Sequence, residues 1–321
     1  MRVLPLLCSS LCLLALARAQ DLRRGLVDAN AVVVGRQVGK TAHDEDVVLH
    51  RVQVLLDVRG AAGNQAVTVL DWPRLSLHQR PTPRQSRLYC LQDATSIATR
   101  LGLPSANGPY YKMVGWPGSN PLVGADLATD PYVRLARLLA ASEDGASPTD
   151  TAAALCAFAV QGEPVVRTEA ACFLTERPDL RARLSAVQWS QLVTRASGEI
   201  DDVPHKIALA ELCAEQRLDG LLDALAVSLG QVKDAEYARA VGRIGRMLDG
   251  EGATAKLEER LRLMGRPEDR AALLLAIGAT NTDSALQTLL RLNGAGKDPA
   301  VEAALREHHS PLAREAVARR K

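Results

Sequence analysis

Several things are scarce in this chain of 321 residues. Aromatic side chains make up only 3% of it, and the formal charge is +2. A nucleic-acid footprint needs a concentrated basic excess, so the near-zero charge argues against that class of partner. No Cys-x-x-Cys occurs, which removes the usual mark of a thioredoxin-type centre or a zinc ribbon. Gly-x-Ser-x-Gly is missing as well, and Gly118-Ser119-Asn120-Pro121 lacks both the second glycine and a following helix that a nucleophile elbow needs. Apart from the first residues, no long apolar run is present.

That first run carries an address. Met1-Arg2 is a short basic start, Val3 to Ala17 is rich in leucine, and Ala17-Arg18-Ala19 places small residues before Gln20. The pattern predicts a secretory signal peptide over residues 1–19, too short for an ordinary membrane span. The expected localisation is export, periplasmic or extracellular, with no membrane span after cleavage. Cleavage would remove Arg2 and Arg18, leaving 37 basic and 37 acidic side chains. Cys90, Cys156, Cys172 and Cys213 would remain, with three possible pairings that sequence cannot choose between. Cys156, Cys172 and Cys213 sit among Ala and Leu on helical segments, which favours three or four buried free thiols over two disulfides.

Residues 20–124 read as a small, mostly antiparallel β domain, an OB-like barrel or a sandwich. Short β-branched or alternating runs at 31–38, 47–58, 66–72, 86–92 and 110–115 are separated by turn chemistry such as Gly60-Ala-Ala-Gly-Asn64. Asp93–Leu103 reads as a helix before the last strand. Within this half, Val32-Val-Val-Gly35-Arg-Gln-Val-Gly39-Lys40-Thr41 imitates a phosphate loop, but three residues separate its glycines where four are needed, and no helix follows. A strand and turn is the better expectation. His43, Asp44, Glu45, Asp46 and His50 have the donor types of a metal site, yet a tight acidic hairpin tip is ordinarily solvated. Neither a metal nor a cofactor is expected.

The aromatic residues are few but concentrated. Trp72, Tyr89, Tyr110, Tyr111, Trp116 and Tyr132 fall within about 60 residues of one another. Exposed on the segment after the last strand, Tyr110, Tyr111 and Trp116 would form a ligand anchor; buried, they would make the small core of the β domain. Successive strand residues face opposite sides, so at least one of Tyr110 and Tyr111 is expected to point outward.

Residues 125–321 have a different grammar. Pro131-Tyr-Val-Arg134, Pro164-Val-Val-Arg167, Pro267-Glu-Asp-Arg270 and Pro311-Leu-Ala-Arg314 share one opening, while Pro204, Pro299 and Asp234 begin variants of it. Proline suits the first helical position, and Asp130, Asp298 and Ser310 stand where a cap is needed. Spacings of 32 to 40 residues between these openings mark stacked helical units that cannot bury an apolar face alone. Arg134, Arg167, Arg270 and Arg314 sit against the positive end of a helix dipole, a mildly unfavourable place. Recurrence at one offset suggests a stacking partner; a solvated outer face is the plainer alternative.

Asp130-Pro-Tyr-Val-Arg134, Glu163-Pro-Val-Val-Arg167 and Ser310-Pro-Leu-Ala-Arg314 resemble the opening of bacterial HEAT-like repeats. The resemblance covers about 190 residues. It implies an α-solenoid whose inner helices line a protein-binding surface, although Val203-Pro204-His205-Lys206-Ile207 lacks the arginine and one step is long. The expected whole is an α+β, multidomain, exported and non-enzymatic scaffold or adaptor that binds another protein. Small-ligand or glycan binding by the aromatic segment is the alternative. No constellation of catalytic side chains emerges.

Overall fold

The computed structural model describes residues 22–61, 63–74, 83–105, 109–114, 120–198, 202–231, 233–265 and 267–319. The expected signal peptide and Trp116 lie outside them. The architecture is α+β: a closed five-stranded β barrel in the N-terminal part and many helices in the C-terminal half. The change from strand to helix lies between Met113 and Pro131. The compact units meet elsewhere in sequence, at Phe173/Leu174, so two further helices and most of a third group with the barrel.

In the first unit a short helix at 22–28 (α1) precedes strands β1 (Ala31–Ala42), β2 (Val48–Arg59), β3 (Ala66–Asp71), β4 (Ser86–Asp93) and β5 (Tyr110–Met113), with helix α2 (Thr95–Arg100) before the last. The strand order around the barrel is β1-β2-β3-β5-β4. Every ladder is antiparallel except β3–β5, which is parallel. The core follows the two-residue period of the strands. Val33, Val52, Val67, Val69, Tyr89 and Tyr111 face inward among its members.

The phosphate-loop lookalike lies wholly within β1, which runs four residues past the expected end and stays paired with β2 to Ala42. Gly35 has a packing reason instead. A Cβ there would strike Val52 and the Gln53 carbonyl, and the Tyr89 ring lies beside the same spot. The missing side chain therefore lets the β2 backbone and the Val52 side chain close onto β1 at this point.

Helices α3 (Pro131–Glu143) and α4 (Pro148–Gln161), with most of α5 (Pro164–Glu176), complete this unit. α3 packs on β2. Arg59 fastens the joint, pairing with Glu143 of α3 and donating to the carbonyls of Leu26 at 2.6 Å and Ala29 at 2.8 Å. On α1, the Arg23 amide donates to Glu169 of α5 at 3.2 Å.

From Leu174 onward the chain is helical: α6 (Pro178–Arg181), α7 (Ala186–Ser197), α8 (Val203–Glu215), α9 (Leu221–Leu229), α10 (Ala235–Asp249), α11 (Gly252–Arg262), α12 (Pro267–Thr280), α13 (Asp283–Ala295), α14 (Pro299–Glu307) and α15 (Pro311–Ala318). The starts obey the local chemistry read from the sequence. Asp130, Asp298 and Ser310 accept hydrogen bonds from backbone amides of their own first turns, as do Asp202 and Asp234. The long step from Pro164 to Pro204 is explained by the extra short helix α6, which stands between α5 and α7 in sequence.

Packing separates these helices into two rows. α8 packs on α10, α10 on α12 and α12 on α14; α7, α9, α11 and α13 form the second succession. Pro204, Asp234, Pro267 and Pro299 thus open the helices of the first row, whereas α15, opened by Pro311, packs on α13 and α14. Gly242 of α10 sits so close to α12 that a Cβ would run into the Ala276 carbonyl, and Gly278 of α12 stands in the same relation to Ala304 of α14. The row is held by near-bare backbone contact.

Candidate functional site

Tyr110 and Tyr111 come first, because the aromatic-anchor alternative depends on them. The pleat does send them to opposite faces, but both are buried, at 2% and 7% exposure. Tyr111 joins the barrel interior. Tyr110 lies on the outer face beneath α2, packed with Ala94 and Ala98, and its hydroxyl donates to the Pro104 carbonyl at 2.9 Å. One of the pair does point out of the barrel, as expected, but it is not exposed to solvent. Strand alternation decides the face; a helix laid over that face decides exposure.

The four recurring arginines do not share one environment. Arg134 is exposed, with its guanidinium carbon 5.1 Å from the centre of the Phe158 ring on α4. Arg167 is buried, Arg270 half-buried and Arg314 exposed. Arg239, in the opening that lacks proline, makes two ion pairs. Its Nη1 lies 2.7 Å from Glu236 and its Nη2 2.7 Å from Glu307 of α14. The Glu307 hydrogen bond, above all, raises its pKa further. Nothing local marks this residue, since Glu307 is 68 residues away.

Along the α8–α10–α12–α14 row, Glu211 and Glu215, Arg243 and Arg246, Ala271, and Ala303 and Arg306 are exposed. Among the described residues Glu211 and Glu215 form no ion pair. Glu211 is open to solvent, yet its carboxyl is held above the ordinary range, first by desolvation, with Glu215 adding and Arg243 opposing.

Two further buried polar contacts belong to the barrel strands. His50 Nε2 lies 3.4 Å from Asp71, and both side chains are buried. Arg87 donates to the Asn120 carbonyl at 3.0 Å. Desolvation lowers the Arg87 pKa and pushes the Tyr89 hydroxyl up to about 12. Cys90 is pushed up to about 12 by burial, so its thiol stays protonated at neutral pH and is a poor nucleophile. Cys90, Cys156, Cys172 and Cys213 are all free thiols.

The acidic tip between β1 and β2 is a turn. Asp44 accepts from the amides of Asp46 at 2.8 Å and Val47 at 2.7 Å, and those bonds lower its pKa. Among the described residues no group of three or more His, Cys, Asp or Glu side chains is placed to hold a metal ion. Nor is any described helix long and apolar enough to cross a membrane. No family model matches the chain, and neither a curated protein nor a solved structure is similar enough to be matched to it.

Proposed function

We propose that this is an exported scaffold or adaptor, binding another protein along the exposed side of the α8–α10–α12–α14 row. The observation that carries this reading is the two-row packing, in which α8, α10, α12 and α14 pack in succession and α7, α9, α11 and α13 form a second succession beside them. Such packing supports a HEAT-like α-solenoid, an architecture whose quasi-linear rows offer extended binding surfaces. Fold alone does not select a partner. The polar, mixed-charge row with Ala271 and Ala303 between arginines and glutamates suits a protein partner better than nucleic acid. For the N-terminal barrel we favour an OB-like topology, supported by the order β1-β2-β3-β5-β4 and the parallel β3–β5 pair. Glycan or small-ligand binding by the aromatic segment is the weaker reading, since Tyr110 and Tyr111 are buried.

Cross-linking of the tagged chain in its native cell envelope, beside the double variant Arg243→Glu with Arg246→Glu, tests the proposal. A protein captured by the unsubstituted chain and lost with the variant, with helical content unchanged, supports docking on this row. Equal capture by both would move the function elsewhere, and capture of nothing by either would sink the scaffold reading.

A further inference from the structure

Packed helices stand about 8–10 Å apart, so α10 and α14, on either side of α12, would be roughly 18 Å apart in a flat row. At that separation an arginine and a glutamate barely reach each other even when fully extended. Arg239 of α10 and Glu307 of α14 nevertheless meet at 2.7 Å. Two glycines account for the approach. Gly242 lets α10 close onto the backbone of α12 at Ala276, and Gly278 lets α12 close onto the backbone of α14 at Ala304. Both interfaces of α12 are therefore drawn in, and its two neighbours lean toward each other.

The far side of α12 is taken up by α11 and α13. On α12 itself Ala271 is exposed, and Ala272 and Leu275 are half-exposed. The guanidinium is also anchored on its own helix, through Glu236 one turn earlier. We propose that the Arg239–Glu307 pair is an ionic strap linking α10 to α14, the two helices packed on α12. It holds α10 and α14 in their close arrangement, and its release widens this part of the row. Half-exposed ion pairs are individually weak and screened by salt, which suits a contact made to open and close.

Spin labels at Met247→Cys on α10 and Ala303→Cys on α14, both exposed, report the width of the row in the full chain carrying Cys172→Ser. With the strap intact the label-to-label distance distribution is expected to be narrow. Arg239→Gln, or about 1 M salt, where the Debye length falls to about 3 Å, lengthens and broadens it. The exchanged pair Arg239→Glu with Glu307→Arg narrows it again. A distribution unmoved by Arg239→Gln and by salt would overturn the strap, and so would a charge exchange that failed to restore it while circular dichroism showed native helix content. The measurement uses the purified chain alone, so its result stands or falls separately from partner capture.

Discussion

The two compact units solve the same packing problem with opposite materials. Eight of the ten aromatic residues lie at or before Phe173, and only Trp189 and Tyr237 lie beyond it. The first unit can therefore fill space with rings, as Tyr89 does in the barrel core. From Leu174 onward the chain has mostly Ala, Leu and Gly to work with, and it excludes space by bringing helix backbones together at Gly242 and Gly278. Deleting atoms should hurt the barrel most, whereas adding them should hurt the helical rows most.

The largest expected effect tests the first half of that contrast. Tyr89→Ala empties the ring's place in the barrel and should cost about 4 kcal/mol in urea unfolding. Tyr89→Phe keeps the ring and removes a buried hydroxyl that has no hydrogen-bond partner, so it should change stability by less than about 1 kcal/mol. Equal losses for the two would show that the hydroxyl, not the ring, holds the barrel.

Next comes the addition of a single methyl group. Gly278→Ala drives a Cβ into the Ala304 carbonyl and should cost about 3 kcal/mol, because backbone must move to accept it. Gly245→Ala meets only the side chains of Ala253 and Leu222, with nearest atoms at 3.2 Å. There the better helix propensity of alanine, about 1 kcal/mol, should offset the crowding. Thermal denaturation of both variants separates backbone contact from ordinary packing; identical midpoints would break the comparison.

A smaller effect probes a device the two units have in common. Asp130→Ala removes the cap of α3, which accepts from Val133 at 3.0 Å and also holds the Gly124 amide at 2.7 Å. The loss should be about 1–2 kcal/mol. Asp234→Ala, with the Tyr237 amide as its bond, should lose about 1 kcal/mol in the same assay.

The smallest concerns pH. The Glu211 carboxyl is raised, so the folded chain binds that proton more tightly than the unfolded chain. Its contribution favours folding at low pH and is lost as pH rises through the raised value. Glu211→Gln should therefore raise the unfolding midpoint slightly at pH 7, and the gain should vanish near pH 4. A variant less stable than the parent at pH 7 would mean that Arg243 stabilises the carboxylate more than burial penalises it.

Much of the molecule was legible one element at a time. β-branched runs bounded by turns placed all five strands within a few residues, except for β1, whose pairing partner carries it to Ala42. Aspartate before proline located the starts of α3 and α14. Ser147-Pro148 opens α4 by the same chemistry, yet no arginine follows, so a search keyed to the recurring motif passed over it. The candidate surface was harder to see. Glu211 and Arg243 are ordinary surface letters in their own helices and come within electrostatic reach of each other only because α8 packs on α10.

Capping, proline placement and strand alternation act within about four residues, so the sequence by itself determined where elements begin and which residues alternate. Tertiary structure decided the rest. The parallel β3–β5 pair, the burial of Tyr110 under α2, and the meeting of Arg239 with Glu307 join residues far apart in the chain. Such contacts depend on loop closure and on what covers each face, and no local pattern encodes either.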